Sequence, residues 1–243
     1  TLYLGPATAT TSNNTGPFNV ANGATLQVAG SGTINFATNL AGAGSGVFSN
    51  GTTNFTSGTY GLSSLTVSGG TVNLNTGAAQ SFNAVTLSGG TLTGADNFNI
   101  TTMTWTGGTL SGAGTTTVTG TLGLPTSSVT LDTRTLNNAG AATVSGSSFY
   151  MTFYGGAVFN NQAGASLQFD HTGTGQLTSS TGGGTFNNAG AVTKTVASNG
   201  VLTVYPQINP EAVGVDITWP VDVLPAGETL TATLFARPLA AQN

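Results

Sequence analysis

Residues 103–120 read MTWTGGTLSGAGTTTVTG, a run with no charged side chain in which threonine alternates with apolar or glycine positions. It holds too little chemistry for an active site and too much pattern for a linker, so its meaning depends on whether the pattern returns. It does return. Gly32-Thr33-Ile34-Asn35-Phe36 comes back as Gly51-Thr52-Thr53-Asn54-Phe55 and as Gly70-Thr71-Val72-Asn73-Leu74, each time after 19 residues. Gly90-Thr91-Leu92 follows after 20 residues and Gly108-Thr109-Leu110 after 18. The hexamers starting at Leu65, Val85 and Met103 are likewise copies of one another, and downstream a second motif takes over at Leu136-Asn137-Asn138, Phe159-Asn160-Asn161 and Phe186-Asn187-Asn188, at looser spacings of 23 and 27. Within each copy the apolar residues alternate with Thr or Ser, as at Leu65 and Val67, which is the period of a strand with one row inward and one outward. Glycine pairs supply the corners.

Composition points the same way. The chain has 243 residues, 38% of them hydrophobic, so it can fill a sizeable core. Only 4% are charged and 37 are glycine. A surface helix draws its wet face from Lys, Glu, Arg and Gln; this chain uses Thr, Ser and Asn, which favour strands, turns and caps. The three basic residues, Arg134, Lys194 and Arg237, and a net charge of -4 offer no electrostatic footprint for nucleic acid or an anionic membrane. No apolar run of about 18 residues suggests membrane insertion. The absence of cysteine excludes a disulfide frame and a thiolate metal site. Thr1 opens without the basic and apolar regions of a signal peptide, which is expected of a chain whose signal has been removed or of a fragment.

A unit of 18 to 27 residues cannot bury its apolar row alone, but units stacked at about 4.8 Å form continuous parallel sheets around an aliphatic interior. The expected fold is therefore all-β, a parallel β-helix or β-solenoid, right-handed by the crossover rule for parallel strands. Roughly ten coils would make a rod about 45 to 50 Å long. Like residues should stack on like, with Thr ladders outside, Val, Leu, Ile and Phe ladders inside, and Asn rows at the corners. The organisation that follows is an N-terminal edge strand or cap over residues 1–17, solenoid repeats over 18–204, and a different segment over 205–243.

The run starting at Trp105-Thr106-Gly107-Gly108-Thr109-Leu110, together with Phe159-Asn160-Asn161-Gln162-Ala163-Gly164-Ala165, resembles the β-strand repeats of large bacterial surface proteins, the adhesins of the filamentous haemagglutinin and autotransporter-passenger kind. The similarity covers roughly residues 18–195. It implies export, a right-handed parallel β-helix and a role in adhesion or surface structure, and it names no ligand.

The last segment breaks the pattern. Five of the eight prolines and five of the ten charged residues fall in 205–243. Val215, Ile217, Trp219, Val221 and Val223 alternate with polar residues or proline, residues 224–228 form a turn, and Leu230, Ala232 and Leu234 begin a second alternating row, so a β-hairpin is expected. Either it caps the solenoid or it docks on a neighbouring subunit; open solenoid ends carry unpaired strand edges that would otherwise template aggregation. Leu2 and Leu4 alternate with Thr1 and Tyr3 as a short edge strand would. With Val215, Ile217, Trp219, Val221 and Val223 they form the candidate surfaces for head-to-tail self-association.

Chemistry is sparse. His171 is the only histidine, and its neighbour Asp170 would point to the opposite face of a shared strand, so the pair is expected in a solvated loop. Asp132 and Arg134, two apart, would share a face as an exposed ion pair. Neither arrangement resembles the clustered carboxylates of a polysaccharide-cleaving β-helix, so no enzyme activity, cofactor or metal is expected. Ice binding would need a Thr-x-Thr array at one phase of every repeat. The pairs Thr8 and Thr10, Thr91 and Thr93, Thr102 and Thr104, and Thr117 and Thr119 fall at different phases. Tyr150, Phe153 and Tyr154 could stack on sugar rings, although some of these aromatics must face inward. The expected function is an extracellular or cell-surface structural and adhesive solenoid that self-assembles, with surface glycans as further partners; the alternative is a carbohydrate-binding or carbohydrate-cleaving β-helix.

Overall fold

The computed structural model describes residues 1–194, 202–204 and 230–231. The expected strand through Val215, Ile217, Trp219, Val221 and Val223 lies outside the described residues. Among those described there is no helix, and the chain winds as a parallel β-solenoid with three strands to the turn. Its first face stacks ten strands: Leu2–Leu4, Thr25–Val28, Ser45–Phe48, Ser64–Val67, the ends of Gln80–Leu87 and Phe98–Trp105, the middle of Thr115–Asp132, the start of Ala141–Tyr154, Ser166–Phe169 and Ala191–Lys194.

Every repeat found in the sequence is a ladder in space. Thr33, Thr52, Thr71, Thr91 and Thr109 lie in register on the second face. Leu65, Val85 and Met103 stack on the first, and Leu136, Phe159 and Phe186 on the third. The inward rows are buried, so each turn supplies side chains to one continuous core from Val20 to Val192. The first rung lies ahead of the recognisable motif: Leu2–Leu4 already pairs in register with Thr25–Val28, and Thr11–Asn14 with Thr33–Ala37.

Glycine at the corner between the first and second faces answers to close backbone approach as well as to turn geometry. Gly90 has φ 64°, and a Cβ there would lie 2.4 Å from the carbonyl oxygen of Gly70 one turn below. Only glycine satisfies both demands. Inside, small residues make room for large ones across the lumen. Gly46 occupies an inward position between Leu26 and Leu65, and the Tyr60 hydroxyl fills the space its missing side chain leaves; a Cβ on Gly46 would meet that oxygen at 2.2 Å.

An aromatic column follows the axis. Phe18 meets Phe36 edge-on at 5.3 Å, Phe36 stacks on Phe55 at 5.1 Å, and contacts continue through Tyr60 and Phe82 to Phe98. The Arg134 guanidinium closes the column, 3.7 Å from the centre of the Phe98 ring.

The two ends differ. Among the described residues Leu2–Leu4 has a strand partner on one side only, and Leu2 and Tyr3 are 52% and 66% exposed. At the other end Leu230–Thr231 pairs antiparallel with Thr193–Lys194, so residues beyond the repeat return to cover the last rung of the first face.

Candidate functional site on the second face

Pairing register turns the outward side of the second face into an ordered surface. Thr11, Thr33, Thr52, Thr71, Thr91, Thr109, Thr130, Thr152 and Thr178 form one unbroken column over nine successive rungs. Two residues further along each strand stand Asn13, Asn35, Asn54 and Asn73, then Thr93, Ser111, Asp132 and Tyr154. The asparagines are cross-linked along the axis: Asn35 Nδ2 donates to Asn13 Oδ1 at 2.7 Å and Asn54 Nδ2 to Asn35 Oδ1 at 2.8 Å. An equivalent amide ladder joins Asn187, Asn160 and Asn137 on the third face, each donating to the next at 2.8 Å. The four Thr-x-Thr pairs singled out in the sequence do fall in different places. The outward threonine ladder expected from the Gly-Thr repeat is formed from Thr33 to Thr109 and runs on to Thr11, Thr130, Thr152 and Thr178, where the surrounding residues depart from the repeat.

No protein-family model, curated protein or solved structure matches the chain.

Near the distal end the hydroxyl surface gives way to aromatic rings. In Ala141–Tyr154, Phe149, Met151 and Phe153 are buried, whereas Tyr150 and Tyr154 project outward at 37% and 36% exposure. Phe153, expected as a third stacking ring, is thus excluded; strand alternation turns it into the core opposite its two neighbours.

The expected Asp132–Arg134 surface pair is not formed. Thr133 between them has φ 57°, a left-handed conformation unusual for a β-branched residue, and the chain turns there so that Asp132 stays outward while Arg134 goes in. Arg134 is wholly buried, and its guanidinium donates to Thr116 Oγ1 at 2.7 Å and to the carbonyls of Gly94, Ser111 and Asp96 at 2.9, 2.9 and 2.6 Å. Burial pushes it down to about 9, and the Asp96 carboxylate acts in the opposite direction. That carboxylate faces the preceding turn, where it accepts from the Thr76 amide and hydroxyl and the Gly77 amide. The two charges are spent on holding four successive turns together.

His171 is also buried, packed edge-on against Phe169 at 5.7 Å, which corrects the expected solvated loop. The ring fits because Gly175 has no side chain to displace it. Lys194 ends the inward row that begins with Leu4 and Val28, and its ammonium donates to the His171 carbonyl at 2.8 Å. Burial pushes Lys194 down, opposed by nearby Asp170. Asp96, Asp132 and Asp170 therefore belong to separate environments, and among the described residues no three His, Asp or Glu side chains group as metal ligands.

Proposed function

We propose that the chain is an extracellular or cell-surface structural and adhesive solenoid that associates end to end with copies of itself, without catalysis or cofactor. The observation that carries this reading is the outer edge of Leu2–Leu4, which has no further strand partner among the described residues, with Leu2 and Tyr3 exposed at the start of the stack. A contact between two different ends does not close on itself, so it propagates as a filament. Strand addition at the joint would satisfy the free amides and carbonyls. Low charge favours it, since little repulsion opposes the approach of identical subunits. The test is negative-stain electron microscopy beside sedimentation of purified protein: concentration-dependent rods are expected, and monomers at every concentration count against self-assembly.

A second reading is favoured by the threonine column. Hydroxyls and methyls held by a rigid sheet at about 4.8 Å along the axis, with a second polar row about 6.7 Å across, form an uncharged two-dimensional lattice of the sort that can order water at an ice surface. The lattice is free of aromatics from Thr11 to Thr130. Ice-recrystallisation assays decide it: Thr71→Lys in mid-column should abolish any inhibition shown by the unaltered protein, and no inhibition by that protein removes the reading.

A further inference from the structure

We infer that Tyr150 and Tyr154 form a stacking platform for a neutral β-1,4-linked polysaccharide, the ligand of the adhesive role proposed above, on which this inference rests. All other tyrosine, phenylalanine and tryptophan side chains among the described residues are buried or partly buried except Tyr3 on the first rung. The positions taken by Tyr150 and Tyr154 carry Ser128 and Asp132 on the preceding rung, and Gln176 follows Tyr150 on the next. Two aromatics thus interrupt a surface that is otherwise small and polar.

Their placement suits an extended sugar chain. They sit four residues apart on one side of one strand, so their Cα atoms are about 13 Å apart on a backbone held by neighbours on both sides. An extended β-1,4-linked chain is a flat ribbon that presents C–H faces at regular intervals, and aromatic rings fixed along a line can stack against them. Thr152 lies between the rings, 3.4 Å from the Thr178 hydroxyl, and Asp132 and Gln176 flank them, half-buried, so hydroxyls, a carboxylate and an amide are at hand for sugar hydroxyls.

Charge selects the class of polymer. The two cations among the described residues, Arg134 and Lys194, are buried, while Asp132 stands beside Tyr154. A polyuronate would bring like charge against Asp132 and find no exposed basic side chain among the described residues. A protein partner is disfavoured as well, because the described outward neighbours of the two rings, Ser128, Asp132, Thr152 and Gln176, are polar and give no dry centre for an interface.

The experiment uses the whole chain in pull-downs on microcrystalline cellulose and on chitin, with calorimetric titration of cellohexaose and of chitohexaose, and soluble polygalacturonate as the charged control. Binding to at least one neutral polymer is expected, and the two arms distinguish glucose from N-acetylglucosamine chains. Tyr150→Ala with Tyr154→Ala should weaken it at least ten-fold with unchanged circular dichroism and melting temperature, while the Phe replacements at both positions retain it. Because the platform lies away from Leu2–Leu4, the Ala variant should still form any rods seen by microscopy, which separates failure of this inference from failure of self-assembly. No binding to either neutral polymer, equal binding by the Ala variant, or a preference for polygalacturonate overturns it.

Discussion

Tyr60 shows how one residue ties the core to pH. Its ring crosses the lumen to the gap at Gly46, and its hydroxyl donates to the Ser64 carbonyl at 2.7 Å. Burial raises its pKa far above the ordinary value of 10.0, outweighing the hydrogen bond from the Gly46 backbone. The folded chain therefore keeps this proton where the unfolded chain loses it. The stabilisation is complete below pH 10 and declines above it, by about 1.4 kcal/mol for each further pH unit. Urea unfolding between pH 9 and 11 should show that decline. Tyr60→Phe should lose about 1 kcal/mol at neutral pH with the hydrogen bond but follow a shallower alkaline slope; parallel slopes for the two proteins would refute the assignment.

At the scale of the element, the corner between the second and third faces is held by Arg134. It grips carbonyls 23 to 40 residues earlier in the chain, so it fixes how the turns on either side of it stack. Arg134→Met keeps much of the side-chain volume but leaves the carbonyls of Gly94, Ser111 and Asp96 without their donor in a buried place. Breaking a buried charge network in this way costs roughly 3 to 5 kcal/mol, or about 10 °C in melting temperature for a chain of this size. Differential scanning calorimetry checks the figure. A loss no larger than that of an exposed substitution such as Thr101→Ser would show that the network contributes nothing net.

For the whole molecule, the ends decide behaviour. Leu230–Thr231 covers the last rung of the first face, and among the described residues the first rung has no such cover. Deleting residues 205–243 removes that cover and bares the edge at Thr193–Lys194. The truncated chain should then lose the ordered rods proposed for the intact protein and appear by microscopy and sedimentation as monomers or as shapeless aggregate. Rods identical to those of the intact chain would show that the segment has no docking role.

The sequence alone determined the all-β class, the parallel stack and its register, because a solenoid writes its spatial ladders as a linear period: the step from Thr52 to Thr71 is both a repeat and a strand pairing. It also separated the outward from the inward rows, since alternation is local. What it could not decide were the features made by single residues that depart from the repeat. Thr133 in a left-handed conformation sends Arg134 inward, which neighbouring letters do not announce. His171 is buried because Gly175 leaves room for its ring, and Phe153 rather than Tyr154 enters the core because of the phase of its strand. The Gly-Thr repeat already spells out the threonine ladder from Thr33 to Thr109, but its extension to Thr11, Thr130, Thr152 and Thr178 emerges only when nine turns are laid side by side, since these members are some 20 residues apart in the chain and one strand spacing apart in the fold; the two-ring platform lies on a single strand and follows from its phase.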